Sequence, residues 1–91
     1  MSKKITLKSG IKATLKEMSV DEFDKCMDFV DYETKVVDGK EQTVIKNQFS
    51  VSTFWIRKGV KGADDKFIKS LSIEDRGELQ VAIQEYNSLG E

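Results

Sequence analysis

Asp21, Asp24 and Asp28 fall on one face of any helix that carries them, and Asp64 and Asp65 stand side by side. Grouped carboxylates are the raw material of general acid–base chemistry and of divalent-cation binding. Neither group has the company such chemistry needs. The chain contains no histidine, which removes the usual general base, the commonest metal ligand and the usual pH switch. One cysteine, Cys26, cannot build a zinc site. The glycines at 10, 39, 59, 62, 77 and 90 never approach a phosphate-cradling pattern such as GxxxxGK[ST] or GxGxxG. The aspartates therefore read as solvated faces, and Cys26 as a small apolar residue on a buried stripe. The chain reads as non-enzymatic, with no cofactor and no metal.

Binding is the chemistry that remains. Phe54-Trp55-Ile56 is followed directly by Arg57, with Phe49 close by, and aromatics and Arg dominate the anchors of protein interfaces. Three consecutive large apolar residues on a helix span about 200° of its circumference, so one core-facing stripe cannot bury all three equally. Phe54, Trp55, Ile56 and Arg57 are the candidate protein-binding residues. The competing reading is that a 91-residue chain needs most of its aromatics for its own core.

The elements that position these residues are signalled by one phrase used twice, a Ser–x–x–acid helix start behind an apolar lead-in. Its copies are Met18-Ser19-Val20-Asp21-Glu22 and Leu71-Ser72-Ile73-Glu74-Asp75. The Ser hydroxyl accepts from a free N–H of the first turn, the acids suit the positive end of the helix dipole, and Glu22 can close a reciprocal capping box. Before the first copy, Ile5, Leu7, Ile11, Ala13 and Leu15 alternate with Lys and Thr around Lys8-Ser9-Gly10, which predicts a β-hairpin over 3–16. A helix over 19–32 follows, with Phe23, Cys26, Met27 and Val30 on one stripe. Residues 33–47 read as a second, exposed hairpin turning at Asp38-Gly39, the pair favoured in type I′ turns, or else as a polar loop. The next segment mixes strand-like β-branched content with helix signals. Ser50 as a cap, Gly59 as a stop and the spacing of Val51, Phe54 and Trp55 favour a helix over 50–58. A short helix over 64–71 starts at Asp64 or Asp65. The last helix, over 72–89, carries Leu79, Ala82, Ile83 and Tyr86, with Ile73 and Leu89 near its ends and Gly90 as the stop. The expected fold is therefore α+β: one domain over 1–91, an N-terminal hairpin and then three to four helices.

Ninety-one residues bury only roughly 60–65% of their unfolded surface, so the core must be modest. Charge is partitioned, although the total is only −1. Residues 1–17 carry +4, 18–33 carry −5, 34–56 carry +1, 57–69 carry +3 and 70–91 carry −4. Such blocks serve either internal complementarity or a two-signed surface for a two-signed partner. A weakly acidic chain with few basic residues argues against nucleic acid. No apolar run approaches the ~18–20 residues of a membrane span, no signal peptide is visible, and a lone Cys suits a reducing cytoplasm. Proline is absent, which removes one source of slow folding phases.

The opening Ile5-Thr6-Leu7-Lys8-Ser9-Gly10-Ile11-Lys12-Ala13-Thr14-Leu15, running into Lys16-Glu17-Met18-Ser19-Val20-Asp21-Glu22, resembles the start of many small phage tail proteins. The closing Asp65-Lys66-Phe67-Ile68-Lys69-Ser70-Leu71-Ser72-Ile73-Glu74-Asp75, followed by Leu79, Ala82 and Ile83, is similar to the end of tail assembly chaperones of long-tailed phages. Together these segments cover about half the chain, and residues 33–62 carry no part of the likeness. The resemblance implies a chaperone that binds the helical tape-measure protein, keeps it soluble and helps recruit tail-tube subunits. It also implies action in the host bacterial cytoplasm, absence from the finished virion, and in many relatives a frameshifted longer form. A homo-oligomer is compatible with this reading. Two other classes fit the same residues: a structural baseplate or tail component, and a small regulatory module of the antitoxin or adaptor kind.

Overall fold

The computed structural model describes residues 2–88. The chain is α+β. Strands β1 (Ser2–Thr6) and β2 (Lys12–Lys16) are followed by helix α1 (Val20–Asp28), strands β3 (Tyr32–Val37) and β4 (Lys40–Ile45), and helices α2 (Gln48–Gly59), α3 (Asp65–Lys69) and α4 (Ile73–Ser88). The two strand pairs form separate antiparallel hairpins.

In the first hairpin Ser2 pairs with Lys16 and Thr6 with Lys12, and Gly10 takes a positive φ of 94° to turn the chain. Ala13 and Leu15 point inward from β2, and Leu7 is buried at the turn. The segment leaving α2 runs beside β2: Val60 bridges Leu15, and the Lys61 N–H donates to the Thr14 carbonyl at 2.8 Å. Side chains of α4 hold both ends of this hairpin. Glu78 Oε1 accepts from the Lys8 N–H at 3.3 Å, and Asn87 Oδ1 accepts from the Met18 N–H at 2.7 Å.

Ser19 caps α1 as its sequence signals, with the Glu22 N–H donating to Ser19 Oγ and the Ser19 N–H donating to Glu22 Oε1, both at 3.1 Å. The second copy of the phrase closes the same box with an aspartate: Asp75 N–H to Ser72 Oγ at 3.1 Å, Ser72 N–H to Asp75 Oδ2 at 3.0 Å. Asp64 caps α3 through the Phe67 N–H at 2.9 Å.

Helix α1 stops at Asp28, four residues short of the expected Tyr32. Asn47 is the reason. Its side-chain amide donates to the Phe29 carbonyl at 3.0 Å and its oxygen accepts from the Asp31 N–H at 2.9 Å, so these backbone groups turn toward the second hairpin. Met27, placed on the apolar stripe of α1 by its spacing, is exposed, while Cys26 beside it is fully buried. The second hairpin forms where expected. Its two-residue turn, Asp38 at φ 53° and Gly39 at φ 76°, has the positive φ at both positions that a type I′ turn requires.

Helix α2 begins two residues before the expected Ser50 cap, with Asn47 at the cap position. Gly59 is its last residue and not a left-handed stop. It lies buried against α4, where a Cβ would sit 2.3 Å from Ile83 Cγ2. Leu79 and Ile83 of α4 close over α2, as their spacing predicts. Ile73 is exposed, and Leu89 and Gly90 lie outside the described residues. The core contains Leu7, Ala13, Leu15, Cys26, Val51, Trp55, Ile56, Val60, Ile68, Leu79 and Ile83, with the Phe23 ring edge-on to Trp55 at 5.4 Å. The radius of gyration is 14.4 Å, against the ~12 Å of a compact chain of this length. The excess follows from the second hairpin, whose strands pack on each other and on little else.

Candidate protein-binding face

Helix α2 divides its residues between two faces. Val51, Ser52, Trp55, Ile56 and Gly59 turn inward, Phe49, Ser50 and Arg57 turn outward, and Thr53 and Phe54 are half-buried at the boundary. Of the four candidate residues, Trp55 is 1% and Ile56 0% exposed. Both are core, so the reading of them as anchors is corrected. The reason is that α2 is covered from more than one side: α1 brings Phe23 to Trp55, while α4 brings Leu79 and Ile83 to the same core. Two adjacent helix positions can therefore both be buried.

Arg57 is exposed and Phe54 is half-buried against the edge of the core, and two further aromatics, Phe29 and Phe49, stand beside them. Phe29 stacks on Phe54, with ring centroids 4.8 Å apart and planes 21° from parallel. Phe49 projects beside them and is 51% exposed; Phe29 is 40% exposed. The Lys58 ammonium lies 5.9 Å from the Phe54 ring centroid. Phe29, Phe49, Ser50, Thr53, Phe54 and Arg57 line a shallow groove of about 340 Å³. Phe49 is also a wall of the adjoining depression, about 160 Å³, with Gln48, Ser52, Ile73, Arg76, Gly77 and Gln80. An apolar strip thus crosses α2 from Phe29 through Phe54 and Phe49 to Ile73. No spacing rule could have found Phe29, because it reaches the strip from the residue that caps the end of α1.

Charge borders the strip. Arg57 pairs with Asp65, and that hydrogen bond, reinforced by the guanidinium charge, holds the Asp65 carboxyl below its ordinary range. Arg76 donates to Thr53 from its Nη2, while its Nε is buried without a partner. A wider depression of about 610 Å³ on the outer side of α4 is rimmed by Lys8, Glu74, Glu78 and Glu85 and offers only Val81 and Ala82 as apolar side chains. It lacks the aromatics that make a strong anchor site.

The chemistry-bearing residues are placed separately. Asp21, Asp24 and Asp28 are exposed along α1, Asp64 is a helix cap and Asp65 pairs with Arg57. Among the described residues no three metal-capable side chains converge. Cys26 is fully buried, and desolvation raises its thiol pKa to about 11. No helix among the described residues is long and apolar enough to cross a membrane. Comparisons with protein-family models, with curated proteins and with solved structures find nothing that matches this chain.

Proposed function

We propose that this protein is a non-enzymatic phage tail assembly chaperone that holds an apolar helix of the tape-measure protein in the host cytoplasm and helps bring tail-tube subunits to it. The observation that carries the binding half of the reading is the strip of Phe29, Phe54 and Phe49 on the outer face of α2, bordered by Arg57. An amphipathic helix laid on such a strip buries its apolar side chains against Phe29 and Phe54, two rings already held in position by stacking, so less freedom is lost on binding. Arg57 and Lys58 at one end of α2 suit a partner with acidic residues flanking its apolar stripe. The identity of that partner comes from the sequence resemblance, and the aromatic strip is compatible with it.

The test is co-expression with a fragment of the tape-measure protein from the same genome. Burying one phenylalanine contributes roughly 1.5–3 kcal/mol, a tenfold to hundredfold effect on affinity. Phe49→Ser should keep the fold and leave the fragment insoluble, and Phe54→Ser should do the same with a small loss of stability. Full retention of the fragment by both variants would remove α2 as the binding face. A protein found in purified virions in stoichiometric amount would instead be the structural tail component. A tight complex with one small partner would point to the regulatory module.

A further inference from the structure

The second hairpin is an arm with an open edge. Tyr32, Thr34 and Val36 of β3 share one face with Ile45, Thr43 and Glu41 of β4, and Glu33, Lys35 and Val37 share the other with Val44, Gln42 and Lys40. Tyr32 is 62%, Val36 71% and Ile45 38% exposed, so the apolar side chains that the first face carries among its threonines and Glu41 are largely uncovered. A two-stranded ribbon is marginal in water, and each free edge presents unpaired N–H and C=O groups.

The turn fixes which groups those are. A two-residue turn closes on a hydrogen-bonded pair, here Val37 with Lys40, and pairing alternates from there. Glu33, Lys35 and Val37 therefore direct their backbone groups to β4. Tyr32, Thr34 and Val36 direct theirs outward.

We propose that β3 pairs antiparallel with β3 of a second copy of this chain, centred on Thr34, to form a four-stranded sheet across a two-fold axis. The charge pattern selects this occupant. In that register Glu33 faces Lys35 of the other copy and Lys35 faces Glu33, two opposite-charge pairs at non-hydrogen-bonded positions, where side chains stand closest. Tyr32 faces Val36 twice, an aromatic against a β-branched residue, and Thr34 faces Thr34 on the axis. The outward groups of Tyr32, Thr34 and Val36 all fall at hydrogen-bonded positions, so the ladder is complete. Glu33 and Lys35 already lie 3.2 Å apart within one strand and need only exchange partners. The other edge fits poorly. Centring β4 on Thr43 sets Lys40 against Lys46, and centring it on Glu41 sets Glu41 against itself. The contact is isologous, so it closes at two copies.

Sedimentation velocity over a concentration series tests this with the full chain. The expected result is a concentration-dependent dimer. Thr34→Pro should give a monomer with unchanged helical circular dichroism, because its N–H faces outward and the β3–β4 ladder keeps all its bonds. Thr43→Pro, the matching change on the β4 edge, should leave the dimer intact. Glu33→Lys and Lys35→Glu should each weaken the dimer at least about tenfold by placing like charges opposite one another, and mixing the two variants should restore it as a heterodimer. The mixing result decides the matter even if a proline variant loses its hairpin. A monomer at every concentration up to about 1 mM would overturn the proposal. So would a dimer that survives both charge reversals, or one abolished by Thr43→Pro and not by Thr34→Pro.

Discussion

Gly59→Ala tests the closest approach in the fold. In an ordinary helix the change stabilises by up to ~1 kcal/mol, because alanine loses less backbone freedom on folding. Here the added Cβ would lie 2.3 Å from Ile83 Cγ2, 3.0 Å from Cγ1 and 3.1 Å from Cδ1. Carbon atoms prefer separations of about 3.5–4.0 Å, so the nearest contact is more than an ångström too short. Ile83 cannot swing away easily. It is branched at Cβ, stiff at χ1 in a helix, and has no exposed surface. Overpacking costs about 1–3 kcal/mol, and a clash this short with a buried, branched side chain belongs in the upper part of that range, about 2–3 kcal/mol. Less the helix gain of ~1 kcal/mol, the net loss is roughly 1–2 kcal/mol. For a domain of this size that lowers the melting temperature by roughly 5–15 °C. The assay is thermal and urea unfolding followed by circular dichroism, run as a double-mutant cycle with Ile83→Ala. The single Ile83→Ala change should cost about 2–5 kcal/mol by opening a cavity. In that background Gly59→Ala should turn neutral or stabilising, because the clash is gone and the new methyl group enters the cavity. A Gly59→Ala protein more stable than the parent would refute the close packing of α2 on α4.

Ser19→Ala and Ser72→Ala should each cost on the order of 1 kcal/mol by opening a capping box, read as a lower urea midpoint at unchanged slope. Trp55→Ser and Ile56→Ser should unfold the protein, whereas Phe49→Ser should not, which thermal melts will separate. The buried Cys26 should resist thiol reagents at pH 8 until denaturant is added. Its thiol pKa rises on folding from 9.0 to about 11, so the folded state holds the proton more tightly and stability should decline as pH climbs from about 9 through about 11. The Asp75 carboxyl is lowered from 3.8 by the Ser9 hydroxyl first and by the Ser72 backbone second, so its contribution is present above that pH and is lost in stronger acid. Asp75→Asn should flatten the acid limb of the stability curve. Purified protein should carry no stoichiometric zinc and show no micromolar DNA affinity at ~150 mM salt; either finding would displace the proposed class.

Local rules alone specified several features. The two capped helix starts are written at Ser19 and Ser72 because a cap is made by residues three apart. The first hairpin follows from strict alternation around Gly10, and the second from Asp38-Gly39, two residues that tolerate the positive φ of a tight turn. The α+β class follows from these signals in their order along the chain.

Tertiary structure decided the rest, for one physical reason: each remaining question turned on a neighbour distant in sequence. Helix α1 ends at Asp28 because Asn47, on the far side of the second hairpin, takes the backbone groups of Phe29 and Asp31. Gly59 reads as a stop signal in sequence, yet its lack of a side chain serves Ile83 of α4. Spacing on α2 showed that Phe54, Trp55 and Ile56 could not all face one stripe. Only the placement of α1 and α4 showed that two of them are buried. The aromatic strip has the same origin: it exists because the end of α1 lays Phe29 on Phe54, a contact between residues 25 positions apart that no periodicity encodes.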